Sequence, residues 1–130
     1  MLNFIVCEDN KIILQKNIDI INKVMFQNNI SYRIYKFTNY DKKLKEIINS
    51  NMENKIFLLD IELEDTSGID ISRDIRKHDK DSIIIISTTY VEYLPFALKN
   101  KLMLFDFVSK FEDYQNNLSK VINNAINQIS

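Results

Sequence analysis

Five short apolar runs alternate with amphipathic helical stripes along this chain, and no other feature restricts its possible folds as much. The runs occupy residues 3–7, 30–34, 56–60, 82–87 and 104–108. The stripe after the first run has helical spacings of four, three and four residues, at Leu14, Ile18, Ile21 and Met25. Parallel strands need crossover connections, so strict alternation predicts a doubly wound α/β domain with five parallel strands and five helices.

The later stripes complete this pattern without a linker or repeat. Helices are predicted at residues 40–48, 69–78 and near 91–99, where Pro95 falls early enough to be tolerated. The closing helix has a clear apolar stripe, at Leu118, Val121, Ile122, Ala125, Ile126 and Ile129. With 45% hydrophobic residues the chain can build a core of ordinary size, and residues 1–130 are predicted to form one domain.

Composition excludes several classes of function. The 17 basic and 18 acidic residues nearly balance, so this chain alone has no electrostatic footprint for DNA. The lone Cys7 excludes an internal disulfide and a multi-cysteine zinc site, which fits a reducing compartment. The longest aliphatic run, Ile83 to Ile86, is far too short to span a membrane. A cytoplasmic location is therefore expected.

Charged and hydroxyl residues stand at the ends of the predicted strands. Glu8 and Asp9 follow the first strand, Asp60 ends the third, Thr88 follows the fourth and Lys110 follows the fifth. The carboxyl ends of parallel strands meet at one edge of a sheet, where ligands usually bind. The only glycine, Gly68, lies eight residues after Asp60, where the chain must turn into a helix.

These residue types together fit phosphoryl transfer. Three acids at adjacent strand ends would repel one another unless a cation lies between them, and a hard divalent ion such as Mg²⁺ is the natural partner. If Asp60 attacks a phosphoryl group, the metal, the Lys110 ammonium and the Thr88 hydroxyl can each stabilise one transferring oxygen. The sequence therefore predicts a magnesium-dependent phosphoacceptor site around Asp60.

In order and spacing, these residues resemble the receiver domain of two-component response regulators over nearly the whole chain. The resemblance implies a flavodoxin-like, CheY-like fold that takes a phosphoryl group from a sensor histidine kinase onto Asp60. It also implies direct magnesium ligation by Asp9, Asp60 and the backbone carbonyl of Glu62, with Glu8 acting mostly through water. Phe107 matches the aromatic switch position. Such a domain phosphorylates itself and slowly hydrolyses the product, but it turns over no separate metabolite, so it is not an enzyme. Phosphorylation is expected to favour a homodimer.

Three segments are similar to one subgroup, the accessory gene regulator A type with a LytTR DNA-binding domain. They are Cys7 to Asp9, Ile75 to Asp79 and Phe105 to Lys110. This similarity implies transcription regulation in quorum sensing, with DNA bound only through an output domain that lies outside the 130 residues. A stand-alone receiver acting through protein contacts is the alternative.

The chain departs from the family pattern at two positions where many receivers have proline, Glu64 and Phe111. Phe111 follows Lys110 where receivers usually have proline, which leaves the loop conformation open. Ser87, Thr88 and Thr89 are neighbouring hydroxyls, and Thr88 is chosen as the switch while Ser87 stays possible. Tyr90, two residues after Thr88, is expected to obstruct the path of water to a phosphorylated Asp60 and so slow hydrolysis.

A haloacid-dehalogenase-like phosphatase is the enzyme alternative, because it also uses a strand-end aspartate, magnesium, a hydroxyl and a lysine. That class needs a second aspartate two residues after the nucleophile, and Glu62 is there instead. It also leaves the Glu8-Asp9 pair unexplained. A receiver-like interaction module without phosphorylation is the other alternative, and the complete acidic site argues against it.

Overall fold

The computed structural model describes residues 1–89 and 96–129, and strands and helices alternate through both parts as predicted. The elements are β1 (Leu2–Cys7), α1 (Lys11–Phe26), β2 (Tyr32–Phe37), α2 (Lys42–Ile48), β3 (Lys55–Asp60), α3 (Gly68–His78), β4 (Ile83–Thr88), α4 (Phe96–Leu102), β5 (Asp106–Ser109) and α5 (Tyr114–Ile129).

All five strands are parallel and form one sheet in the order β2-β1-β3-β4-β5. Strands β1, β3 and β4 are buried along their whole length, which explains why their sequences are nearly continuous apolar runs. The predicted doubly wound, flavodoxin-like fold with five strands and five helices is confirmed.

Strand alternation divides the core into two layers. Residues such as Phe4, Val6 and Leu58 pack against α1 and α5, on what we call the α1/α5 face of the sheet. The intervening residues, including Ile5 and Leu59, pack against α2, α3 and α4 on the opposite, α2/α3/α4 face. Because successive side chains of a strand point to opposite faces, a residue at the end of a strand lies on the same face as the residue two positions before it.

Several element boundaries differ from the sequence prediction. The strand predicted at 30–34 is β2, Tyr32–Phe37, because all six of its residues pair in register with β1. The strand predicted at 104–108 is β5, Asp106–Ser109, whose register is set by pairing with β4. The helix predicted near 91–99 is described from Phe96 onward, and Val91, Pro95 and Tyr90 lie outside the described residues.

The position of Gly68 is explained by a close backbone approach. A Cβ on this residue would lie 2.5 Å from the carbonyl oxygen of Asp60. Its φ is not positive, so the glycine is needed for space and not for a left-handed conformation. Ser67 caps α3 by accepting a hydrogen bond from the Asp70 N–H. The start of α3 is thus packed directly against the end of β3.

Candidate functional site

A row of polar residues crosses the carboxyl edge of the sheet on its α1/α5 face. Asp60 pairs with Ser87 in the β3–β4 register, and Glu8 directly follows the Cys7–Leu59 pair between β1 and β3. By strand alternation, Glu8 follows Phe4 and Val6, Asp60 follows Ile56 and Leu58, and Ser87 follows Ile83 and Ile85, all on this face. Parallel pairing therefore brings together residues that are far apart in sequence.

Among the described residues, three carboxylates and one ammonium meet at this edge. Carboxylate oxygens of Glu8, Asp9 and Asp60 lie within 4.8 Å of one another, with Glu8 and Asp60 buried and Asp9 exposed. The Lys110 Nζ lies 2.7 Å from Glu8 Oε1 and 3.2 Å from Asp60 Oδ1. The predicted acidic cluster with its lysine is present in the structure.

The charges in this cluster are unbalanced. Burial raises the pKa of Glu8 to about 7, although the hydrogen bonds from Lys110 and the Asn10 N–H oppose this effect. Burial would lower the pKa of Lys110, but Glu8 and Asp60 outweigh it and raise that pKa. Since one ammonium faces three carboxylates, the site favours a further cation.

The donor set fits Mg²⁺. Carboxylate oxygens are hard ligands, and Mg²⁺ typically binds through one or two carboxylates while keeping several waters. The exposure of Asp9 leaves one side of the cluster open to solvent. Cys7, the neighbouring soft donor, is fully buried, and burial raises the pKa of its thiol to about 12. The cluster is thus compatible with a hard divalent ion.

The loop after Asp60 is held against the site. Asp60 Oδ1 accepts a hydrogen bond from the Glu62 N–H at 3.1 Å. Glu62 also bridges to Ser67 across the loop, and its Oε1 accepts from Thr89 Oγ1 at 3.2 Å. The Glu62 side chain therefore connects the ends of β3 and β4 beside Asp60, while its carbonyl as a metal ligand stays a prediction.

The two candidate hydroxyls at the end of β4 belong to opposite faces of the sheet. Ser87 Oγ lies 3.1 Å from the Tyr114 hydroxyl, which donates to Asn17 Oδ1 at 2.6 Å on the α1/α5 face. Thr88 follows by one residue and continues the Ile84–Ile86 layer on the α2/α3/α4 face. Phe107, the predicted switch aromatic, packs half-buried against that same layer.

Sequence reasoning missed the contacts of Tyr114 and Asn17. The available signal was polarity inside apolar stripes, because Asn17 lies three residues after Leu14 and four before Ile21, and Tyr114 lies four before Leu118. Buried polar groups require hydrogen-bond partners, which could have directed attention to both residues.

The loop after Lys110 adopts a defined path without proline. The Lys110 N–H donates to the Thr88 carbonyl at 2.9 Å, and the Phe111 N–H donates to Ser109 Oγ at 3.2 Å. Asp113 has a φ of 45° just before α5 begins, and Phe111 itself is 76% exposed. Backbone hydrogen bonding at β4 thus anchors the lysine where the chain departs from the usual proline.

The family model of the response regulator receiver domain matches residues 4–123 of this chain. The match extends over most of the chain, and it includes Glu8, Asp9, Asp60, Thr88 and Lys110. The chain belongs to the response regulator receiver domain family. This confirms the receiver resemblance, whereas the accessory gene regulator A subgroup stays a prediction.

Solved structures of this family share the fold of the chain. A receiver domain protein from Clostridium thermocellum has 24% identity and a TM-score of 0.78, with 98% of this chain and 96% of that chain covered. TrrA from Thermotoga maritima, solved in complex with Mg²⁺ and BeF, has 23% identity and a TM-score of 0.71, with 96% and 99% covered. The BeF₃-activated receiver domain of DrrB has 20% identity and a TM-score of 0.74, with 98% of each covered.

A search of curated protein sequences gives no significant match to this chain. Among the described residues, no helix is both long and apolar enough to cross a membrane. Receiver domains are generally phosphoacceptors that act with a histidine kinase and are not enzymes, so the family fixes the general class of this chain.

Proposed function

We propose that this receiver is switched by transfer of a phosphoryl group from a sensor histidine kinase to Asp60. The observation that carries the proposal is the contact of the Lys110 Nζ with both Asp60 and Glu8 in a cluster of three carboxylates. Asp60 is the member of this cluster that ends a central strand, and Glu62 and Lys110 both bind its Oδ1. A rigid, partly neutralised carboxylate is suited to act as a nucleophile.

Each residue of the site has a role in this reaction. A carboxylate oxygen of Asp60 forms a bond to phosphorus while the phosphorus–nitrogen bond of the donor phosphohistidine breaks. Lys110 stabilises the negative charge of the transferring oxygens. Asp9, Asp60 and the Glu62 carbonyl would hold Mg²⁺, with Glu8 acting through water, and the ion would neutralise further charge on the phosphoryl group.

Thr88 and Phe107 form the proposed switch. Both belong to the α2/α3/α4 face, so movement of the Thr88 hydroxyl toward the phosphoryl group would leave space beside Phe107. The contact with the phosphoryl group exists only in the modified state, which shifts the population between two packings. The surface of α4, β5 and α5 is thereby linked to modification of Asp60.

Output is proposed to follow from dimerisation through that surface. The subgroup segments Cys7 to Asp9, Ile75 to Asp79 and Phe105 to Lys110 support transcription regulation through a LytTR-type DNA-binding domain outside the 130 residues. A cytoplasmic location, self-phosphorylation from small donors and slow self-hydrolysis belong to the same proposal. The family match favours it over the phosphatase alternative.

Mass spectrometry of the intact protein tests the assignment of Asp60. Incubation with acetyl phosphate and Mg²⁺ should add the mass of one phosphoryl group to the wild type and to Asp65→Asn, a control in the exposed part of the following loop. Asp60→Asn should add none. An adduct of equal stoichiometry in Asp60→Asn would overturn the assignment.

A further inference from the structure

Three buried polar side chains from three elements form a hydrogen-bonded chain next to the acidic cluster. Ser87 lies in β4, Tyr114 begins α5 and Asn17 lies in the middle of α1, and they are 1%, 8% and 1% exposed. Their contacts are 3.1 Å between Ser87 Oγ and the Tyr114 hydroxyl and 2.6 Å between that hydroxyl and Asn17 Oδ1. Burial is the main cause that raises the pKa of the Tyr114 hydroxyl, and the nearby charges of Glu8 and Asp60 raise it further.

The chemistry of the three groups fixes the direction of these hydrogen bonds. Asn17 Oδ1 is an amide oxygen and can only accept, so the single hydroxyl proton of Tyr114 is donated to it. The Tyr114 oxygen is then an acceptor, and the bond between the two hydroxyls uses the single proton of Ser87. The Ser87 proton is therefore directed toward α5 and α1.

Without this bond, the Ser87 proton would have another acceptor within reach. Ser87 is the β4 residue in register with Asp60, and their side chains share the α1/α5 face. Neighbouring strands lie roughly 4.8 Å apart, so a serine hydroxyl can reach groups attached to the paired residue. Ser87 is thus a second possible donor to a phosphoryl group on Asp60.

Resting on the function proposed above, we propose that Tyr114 is a positioning residue that holds the Ser87 hydroxyl away from Asp60. Thr88 is then the hydroxyl that responds to phosphorylation. Packing alone gives no reason for this chain of contacts, because Phe at 114 and Leu at 17 would fill similar volumes without burying polar groups. What the Tyr114 hydroxyl adds is the orientation of Ser87.

Binding of beryllofluoride with Mg²⁺, followed by ¹⁹F NMR, tests this role. Thr88→Ala should weaken binding by about tenfold, since a hydrogen bond to a charged group is lost. Adding Tyr114→Phe to Thr88→Ala should release Ser87 and recover at least about threefold, with a changed ¹⁹F shift for the fluorine that accepts the new bond. Adding Ser87→Ala to that double variant should remove the recovery.

The chain offers a matched control. Tyr32 donates to Asn22 Oδ1 at 2.6 Å, the same chemistry and length as the Tyr114–Asn17 bond, but at the start of β2 on the opposite edge of the sheet. Tyr32→Phe in the Thr88→Ala background should give no recovery. Thermal melting of each variant confirms that it is folded before titration.

If Tyr114→Phe does not fold, Asn17→Leu replaces it, because the Tyr114 proton then turns to Ser87 and frees the Ser87 proton. The same recovery is expected. If Tyr114→Phe weakens beryllofluoride binding equally in the wild type and in Thr88→Ala, Tyr114 acts through packing alone and this inference is overturned. Absence of recovery when either Tyr114→Phe or Asn17→Leu is added to Thr88→Ala would also overturn it. A wild type that does not bind beryllofluoride would overturn the proposed function and this inference together.

Discussion

Each edge of the sheet contains a lysine with little solvent exposure, but the two lysines have different partners. At the amino edge, the Lys55 side chain is 2% exposed, and its Nζ donates to the carbonyls of Ile47 and Ser50 at 3.1 Å each. At the carboxyl edge, the Lys110 side chain is 11% exposed and contacts the carboxylates of Glu8 and Asp60. One lysine is bound mainly by fixed backbone dipoles, and the other by ionisable groups.

The amino edge has further contacts of the same structural kind. The Arg76 guanidinium donates to the backbone carbonyls of Asp79, Ser82, Leu102 and Met103. Lys55 also lies 3.6 Å from an oxygen of Asp79, whose other contacts include the Ser82 and Asp81 N–H groups. These bonds join the ends of α2, α3 and α4 to the sheet and match each charge with partners.

The difference separates a cluster of matched charges from a cluster with excess negative charge. At the amino edge, Lys55, Arg76 and Asp79 each contact partners of complementary charge or polarity, so these contacts need no additional ion. At the carboxyl edge, three carboxylates share one ammonium in the part of the chain that the structure describes, and a bound cation or a proton on one carboxyl would neutralise the excess negative charge. Burial of a lysine by itself therefore does not identify a functional site.

Lys55→Met should have the largest effect on stability. It removes a buried ammonium from two part-buried carbonyls and from Asp79, so the free energy of unfolding should fall by about 3 kcal/mol. Urea denaturation measures the loss. Phosphoryl incorporation per folded molecule should be unchanged, and a stability loss below about 1 kcal/mol would contradict the structural role of Lys55.

Lys110→Met should show the opposite pattern. The rate of phosphorylation by acetyl phosphate should fall roughly a hundredfold, because a group that stabilises the transferring charge is lost. At pH 6 the free energy of unfolding should change by no more than about 1 kcal/mol, since Glu8 can be protonated and Asp60 keeps its hydrogen bond from the Glu62 N–H. Single-turnover kinetics and denaturation of the same sample compare the two effects.

The two edges should respond to pH with opposite sign. Folded Glu8 binds its proton more tightly than the unfolded chain does, so without metal the free energy of unfolding should fall by about 1 to 2 kcal/mol between pH 5 and 7. Burial would raise the pKa of Asp79, but hydrogen bonds from Ser82 and Asp81 and the charge of Lys55 lower it. Its contribution is present above the ordinary aspartate pKa and is lost as pH falls through the lowered value.

Single amide variants separate these two contributions. Glu8→Gln should reduce the change in the free energy of unfolding between pH 5 and 7. Asp79→Asn should reduce the loss of that free energy as the pH falls below 3.8, the ordinary aspartate pKa. Denaturation at closely spaced pH values in chelator measures both. A slope between pH 5 and 7 that is the same in Glu8→Gln would contradict the charge imbalance assigned to the carboxyl edge.

Asp9→Asn should have the smallest effect on stability. Because Asp9 is exposed, removing its charge should raise the free energy of unfolding without metal by less than about 1 kcal/mol. Magnesium affinity should nevertheless fall by about tenfold, and Glu8→Gln should reduce it less. Calorimetric titration measures the affinities, with Asp19→Asn as an exposed control on α1, and equal affinity in Asp9→Asn and wild type would place the metal elsewhere.

The sequence alone predicted the sheet and the meeting of the acids at one edge. Strict alternation of strands and helices requires parallel strands, and their carboxyl ends share an edge whatever the details of packing. Glu8, Asp9, Asp60 and Lys110 could therefore be grouped before the structure was known. The limits of β2 and β5 were less predictable, because pairing with β1 and β4 determines where each strand begins.

Only the tertiary structure decided which groups contact each other within that edge. Strand register places Ser87 and Thr88 on opposite faces, and the partners of Ser87, Tyr114 and Lys110 are 27, 97 and 102 residues away in the chain. The acceptors of Lys55 are backbone carbonyls, which every residue has and no sequence pattern marks. Local periodicity determines the face and end of each element, whereas hydrogen-bond partners depend on distances that exist only after the elements pack.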